Sequence, residues 1–129
     1  EADTGDPFAR HWMNVAMVFM DGHKMSKSRG NLVFGDALRK VWDPRAIRLG
    51  MIEHHYRREW EWDETLMPRN TARLQAWAAA PKYEDGVVSE VRAALDDDLD
   101  TPSALALIDE AAAAGQGVHD AAALLGVLL

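Results

Sequence analysis

The chain has 129 residues, 48% of them apolar, and a formal net charge of -7 from 21 acidic and 14 basic residues. That length buries one core, so one compact unit is expected, and the acidic balance disfavours a polyanion approaching the whole surface. There is no cysteine, no long apolar run and no basic-then-apolar leader over residues 1–5. Disulfides and thiolate metal sites within the chain are thereby excluded, no membrane partner is expected, and a cytoplasmic protein is the expectation.

Residues 11–20, HWMNVAMVFM, are aromatic-, Met- and Val-rich without Gly or Pro, which predicts a buried strand closed by an Asp21-Gly22 turn. A lone strand needs partners from elsewhere in the protein. Beyond residue 31 the pattern turns helical. Asp36 can cap a short helix running to Val41. Asp43 followed by Pro44 is a strong helix start, cap then first position, and Ile47, Met51 and Ile52 share the expected inward face. Asp63 can cap a helix that runs to about Ala80 before Pro81, with a bend possible at Pro68. The stretch 85–97 predicts an amphipathic helix with Val87, Val88, Val91 and Leu95 inward. Residues 96–102, DDDLDTP, break that pattern, and Thr101-Pro102 opens a further helix ended by Gly115 and Gly117. The apolar tail from Ala121 to Leu129 is expected to dock as a last helix. The sum is a mainly α chain: a helical bundle after one N-terminal strand and a lysine-bearing loop.

Charge is uneven along the chain. Eleven of the 14 Lys and Arg lie between Lys24 and Arg73, whereas the second half is acidic. In the basic half, residues 21–31 read DGHKMSKSRGN, with Lys24 and Lys27 three apart between Gly22 and Gly30. Lysine ammoniums are point charges on flexible stems, suited to following a phosphate chain as it moves, and Ser26 and Ser28 add hydroxyls. In displacement at the α-phosphorus of ATP, charge builds on the leaving pyrophosphate. A donor that reaches it only in the transition state lowers the barrier, and removing one costs about 3 kcal/mol. Flanking glycines permit a loop that opens for substrate and closes for reaction. The Walker spacing is absent. A solvated basic turn is the plain rival reading of such a string.

The order Lys-Met-Ser-Lys-Ser, after a strand and before helices, resembles the signature of class I aminoacyl-tRNA synthetases. Beyond the loop, residues 8–33, 43–57 and 94–110 are similar to the C-terminal part of the cysteinyl-tRNA synthetase family, and within it to the actinobacterial cysteine ligases of mycothiol biosynthesis. That resemblance implies an ATP- and Mg2+-dependent, AMP-forming ligase. It would activate cysteine as cysteinyl-AMP and pass it to the amine of glucosaminyl-inositol. Lys24 and Lys27 would be catalytic, with Met25 anchoring the loop and Ser26 and Ser28 shaping it and touching phosphate. Val18 would meet the adenine through its backbone. Residues 1–35 would end the catalytic domain, and 36–129 would form the C-terminal helical domain.

The family's HIGH motif, its zinc ligands (two Cys and one His) and its cysteine pocket do not occur in this sequence. The resemblance therefore places them upstream, with Zn2+ only there. The chain is expected to be a C-terminal fragment, inactive alone, that packs on a Rossmann-type catalytic domain. His11, His23, His54, His55 and His119 have no thiol partners, so no metal site is expected. His54 stands where the family usually has glycine, in Gly-His-Tyr-Arg. Two rivals remain: transfer of cysteine to tRNA, disfavoured by the acidic second half and the absence of an anticodon-binding domain, and a non-catalytic helical binding module. Trp60 and Trp62 are read as aromatic packing rather than sugar stacking, Asp96 to Asp100 as a solvated turn with a helix cap. Arg57 and Arg58 are open between phosphate contacts and ion pairs with Glu53, Glu59 or Glu61.

Overall fold

The computed structural model describes Gly5, residues 8–82 and residues 86–129. Among them are six α-helices and one small sheet, the mainly α architecture expected. The predicted strand shrinks to β1 (Val18–Met20), half-buried rather than buried, while Trp12, Met13 and Val15 stand exposed. Among the described residues its sheet neighbours are two-residue strands, too short to carry pairing back over residues 11–15. One is β2 (His23–Lys24), antiparallel in the register Phe19 to Lys24 and Met20 to His23. The other is β3 (Trp60–Glu61), which joins the opposite edge in parallel, Val18 against Trp60. A two-residue strand has no periodicity to read, which is why β3 was not foreseen.

The helices follow their caps more faithfully. A short turn, α1 (Gly35–Leu38), begins after Phe34, with Asp36 inside its first turn rather than capping it. In α2 (Pro44–Ile52) the Asp43 side chain accepts from Arg45 N–H at 2.8 Å, as the Asp-Pro start implies. Its buried face is Ala46, Leu49 and Gly50; of the expected Ile47, Met51 and Ile52 only Ile52 packs against the core, and Met51 is 40% exposed. The reason is close approach: a Cβ on Gly50 would lie 2.6 Å from Met67 Cε, so α2 meets the next helix on its small residues. That helix, α3 (Leu66–Ala78), has Asp63 accepting from Thr65 N–H at 2.7 Å, with Thr65 the cap residue itself. Pro68 sits in its first turn, where no N–H is missed.

Next come α4 (Val88–Asp96), α5 (Thr101–Ala113) and α6 (His119–Leu124). Residue 85, where the fourth helix was expected to begin, lies outside the described residues. Val87 and Val91 are buried, with Val88 and Leu95 packed against them, as expected. Helix α2 packs on α3, α3 and α4 on α5, and α4 on α6, around the fully buried Trp77, Leu49 and Ile108. Gly115 takes φ of +74° to leave α5. No helix among the described residues is long and apolar enough to cross a membrane.

Candidate functional site

The hairpin between β1 and β2 turns on two residues, Asp21 and Gly22, with φ of +53° and +70°. Two positive φ values are what a tight hairpin needs to match strand twist, and Asp-Gly supplies them at low cost. Gly22 N–H donates to Glu61 Oε1 at 2.6 Å, so a carboxylate on β3 holds the turn from 39 residues away. Beyond β2, Met25 N–H donates to the Val18 carbonyl at 3.0 Å and Met25 is half-buried against the hairpin. A single 3-10 turn follows over Lys27–Arg29 and ends on Gly30, whose φ of +70° suits glycine. Gly30 N–H closes the turn on the Lys27 carbonyl at 3.2 Å.

All the residues expected to contact ATP therefore fall on one hairpin and the turn that leaves it. Val18 is in β1, Lys24 ends β2, Met25 and Ser26 link the two elements, and Lys27 and Ser28 lie in the 3-10 turn. Lys24, Lys27 and Arg29 are exposed and make no ion pair among the described residues. The Ser26 and Ser28 hydroxyls lie 3.3 Å apart. Two free ammoniums, a guanidinium and paired hydroxyls over six residues at the end of the hairpin form a donor set that fits a polyphosphate.

Asn31 belongs to this assembly and was missed. Its Oδ1 accepts from Ser26 N–H at 2.9 Å, and its Nδ2 donates to the Lys24 carbonyl at 3.3 Å, with the His23 carbonyl at 3.5 Å. The signal was present in the quoted string: an Asn directly after a glycine that ends a turn, where a short amide can bond backbone nearby. Glu61 carried no such signal.

A second concavity, of about 750 Å³, opens beside the sheet between residues 53–60 and the turn before α5. Its walls carry both signs of charge and are already bonded to one another. Of the two roles left open for Arg57 the ion pair is the one seen, made with Asp98 rather than with Glu53, Glu59 or Glu61. Trp60 stacks on His54, ring centroids 4.1 Å apart and nearly parallel, the packing role expected. Burial lowers the pKa of His54 against the pull of Glu53, so its ring is neutral at pH 7. Asp100 caps α5, accepting from Ser103 N–H at 3.2 Å and from its hydroxyl at 2.6 Å, which bears out the turn-and-cap reading of the aspartate run. Among the described residues no group of three or more His, Asp or Glu is placed to hold a metal.

Beneath this concavity Glu53 organises a half-buried network that sequence pattern did not reveal. Its carboxylate accepts from Arg69 Nε at 2.9 Å, from Asn70 Nδ2 at 2.7 Å and from Arg73 Nη1 at 3.3 Å. Arg73 and Trp77 in turn donate to Asp109 on α5. Thus α2, α3 and α5 are tied beside the sheet that carries the lysine loop.

Residues 1–72 match the family model described as the catalytic domain of class I (C) tRNA synthetases. Among curated proteins, the chain is 50% identical over 129 residues to the L-cysteine:1D-myo-inositol 2-amino-2-deoxy-alpha-D-glucopyranoside ligase of Thermobifida fusca, covering 92% of this chain and 31% of the relative. The ligase of the same name from Streptomyces griseus is 48% identical over 120 residues, 88% of this chain and 29% of its own length. That from Tsukamurella paurometabola is 51% identical over 116 residues, 84% and 28%. The chain thus spans about three-tenths of the length of these relatives.

Proposed function

Since the chain belongs to the class I (C) tRNA synthetase catalytic-domain family, we propose that it supplies the phosphate clamp of an ATP-dependent cysteine ligase. In this reading cysteine is activated as cysteinyl-AMP with release of pyrophosphate, and the amine of glucosaminyl-inositol displaces AMP to form an amide. One observation supports it above the others: Lys24 and Lys27 stand exposed and without an ion pair among the described residues, on a hairpin and turn within the residues matched to the family. Ligases named for that acceptor, at about half identity, support the choice of sugar.

Lys27 would neutralise charge developing on the pyrophosphate, with Lys24 holding the phosphate chain and Ser26 and Ser28 donating to its oxygens. Val18 would meet the adenine through its backbone. Mg2+ would travel with ATP, and Zn2+ would belong to a part of the protein outside this chain. Residues 1–35 carry the clamp and residues 36–129 form the helical domain that supports it, the whole acting in the cytoplasm, packed on a Rossmann-type catalytic domain and inactive without it.

The test gives the intact protein cysteine, ATP-Mg, tRNA and glucosaminyl-inositol and reads products by mass spectrometry. A cysteinyl amide of the sugar with AMP formed is the expected result. Cysteinyl-tRNA would transfer the chain to the synthetase branch of the family. No cysteine-dependent AMP at all would leave a helical binding module that merely retains the motif.

A further inference from the structure

The lysine loop carries three cations in six residues, Lys24, Lys27 and Arg29, on exposed chain. Like charges so close repel, and a turn of three residues has little backbone bonding with which to resist. Besides a few backbone bonds, two of the bonds that do resist come from one side chain. Asn31 Oδ1 accepts from Ser26 N–H at 2.9 Å while Nδ2 of the same amide donates to the Lys24 carbonyl at 3.3 Å. These two contacts bracket Met25, and therefore the length of chain that separates Lys24 from Ser26 and Lys27. The 3-10 turn is then closed back toward Asn31 by Arg29 N–H on the Ser26 carbonyl and Gly30 N–H on the Lys27 carbonyl, each at 3.2 Å. Only a primary amide offers an acceptor and a donor on one short planar group. Asp has the acceptor alone, and Ser is too short to reach both.

We propose that Asn31 is the positioning residue of the phosphate clamp: its amide fixes the backbone between Lys24 and Lys27 before ATP arrives, so that both ammoniums reach the phosphates together. The inference rests on the ATP-ligase reading given above. Asn31 itself touches no reacting atom. Its effect comes through placement, and misplacing a catalytic group by about 1 Å can cost about 100-fold in rate.

The test uses the intact protein as wild type, Asn31→Ala, Asn31→Asp and Lys27→Ala. Three quantities are read: cysteine-dependent ATP–pyrophosphate exchange, the rate of tryptic cleavage after Lys24, Lys27 and Arg29, and the thermal midpoint. Asn31→Ala is expected to lower kcat for exchange by about 10- to 100-fold with little change in KM for cysteine. Cleavage in the loop should rise severalfold while the thermal midpoint holds, because no core contact is lost. Asn31→Asp keeps the Ser26 bond and should fall between wild type and Asn31→Ala in cleavage. Wild-type exchange and cleavage in Asn31→Ala, with exchange lost in Lys27→Ala, would overturn the positioning role and leave the ligase reading standing. Absence of exchange in the wild type, with faster cleavage in Asn31→Ala, would overturn the ligase reading and leave Asn31 as the residue that forms the loop. A fall in thermal midpoint that accounts for the lost exchange would assign Asn31 to stability and overturn the proposal.

Discussion

Arg57 and Asp98, 41 residues apart, meet in a two-point bond: Nε to Oδ2 at 2.6 Å and Nη2 to Oδ1 at 2.9 Å. The Tyr56 hydroxyl adds a third contact to Oδ1 at 2.5 Å. The chain that enters β3 is thereby pinned to the turn between α4 and α5, and β3 is what holds the hairpin at Glu61. The sheet that carries the lysine loop and the helical bundle are linked through this one carboxylate.

The linkage is pH-dependent in a definite direction. Arg57 first, then Tyr56, hold the Asp98 carboxyl well below its ordinary pKa of 3.8. A depressed pKa means that the unfolded chain takes up the proton first, so the contribution to stability is complete above about pH 4. It is lost as pH falls through the native value. Asp98→Asn should lower the urea midpoint at pH 7, and its difference from wild type should shrink as pH drops and as salt rises, because the pair is exposed. A difference indifferent to salt would point to packing instead.

The same turn stores backbone strain. Asp98 and Leu99 both sit at positive φ, +51° and +56°, where the Cβ of any residue but glycine crowds the following carbonyl. Leu99 is 47% exposed, so little apolar burial depends on it. Asn, whose short polar side chain can bond the nearby backbone, tolerates this conformation better than Ala. Leu99→Asn should therefore be more stable than Leu99→Ala by about 0.5 to 1 kcal/mol, although Asn is the more polar residue. Equal midpoints in urea would mean that the left-handed turn carries no such cost.

Which parts of this fold were legible in the sequence follows from how local their causes are. The start of α2 was readable because Asp43, Pro44 and Arg45 are consecutive and the cap closes within them. So was the lysine loop, whose cations and glycines share eleven residues. The face of α2 was misassigned because Gly50 packs by lacking a side chain, which no hydrophobic count rewards. Glu61 holding Gly22, and Asp98 holding Arg57, join residues 39 and 41 apart, and neither partner's neighbours announce the other. The strand over residues 11–20 was overextended because composition reports that a segment can be buried, not that a partner is at hand to bury it.

Glu53 should be the most sensitive polar position beneath the site. Its side chain is 11% exposed and balances Arg69 and Arg73 while satisfying the fully buried Asn70. Burial pushes its pKa up, but bonds from Arg69 and Asn70 outweigh that and leave it below the ordinary 4.5. Glu53→Gln removes the charge and turns a donor toward other donors, at a cost of about 2 to 3 kcal/mol at pH 7. Because the native pKa is depressed, the wild-type advantage should narrow as pH is taken below 4.5. An advantage that stays constant down to pH 3 would mean that the carboxylate's charge is not what the arginines need.

In the proposed phosphate clamp the two lysines would divide the work, and kinetics can separate them. Lys24 ends a strand whose pairing with Phe19 fixes its backbone, so under that proposal it would meet phosphate in the ground state. Lys27 opens the 3-10 turn on the far side of Met25, where a small change in the loop alters its reach. Lys27→Ala should therefore lower kcat for ATP–pyrophosphate exchange by about 100- to 1000-fold with KM for ATP nearly unchanged, the mark of a contact made only in the transition state. Lys24→Ala should raise KM for ATP more than it lowers kcat. Arg at position 27 keeps the charge but spreads it over a planar fork, so Lys27→Arg should recover only part of the rate. Equal losses in KM and kcat for both lysines would show that they act as one uniform phosphate anchor, with the acceleration coming from elsewhere in the protein.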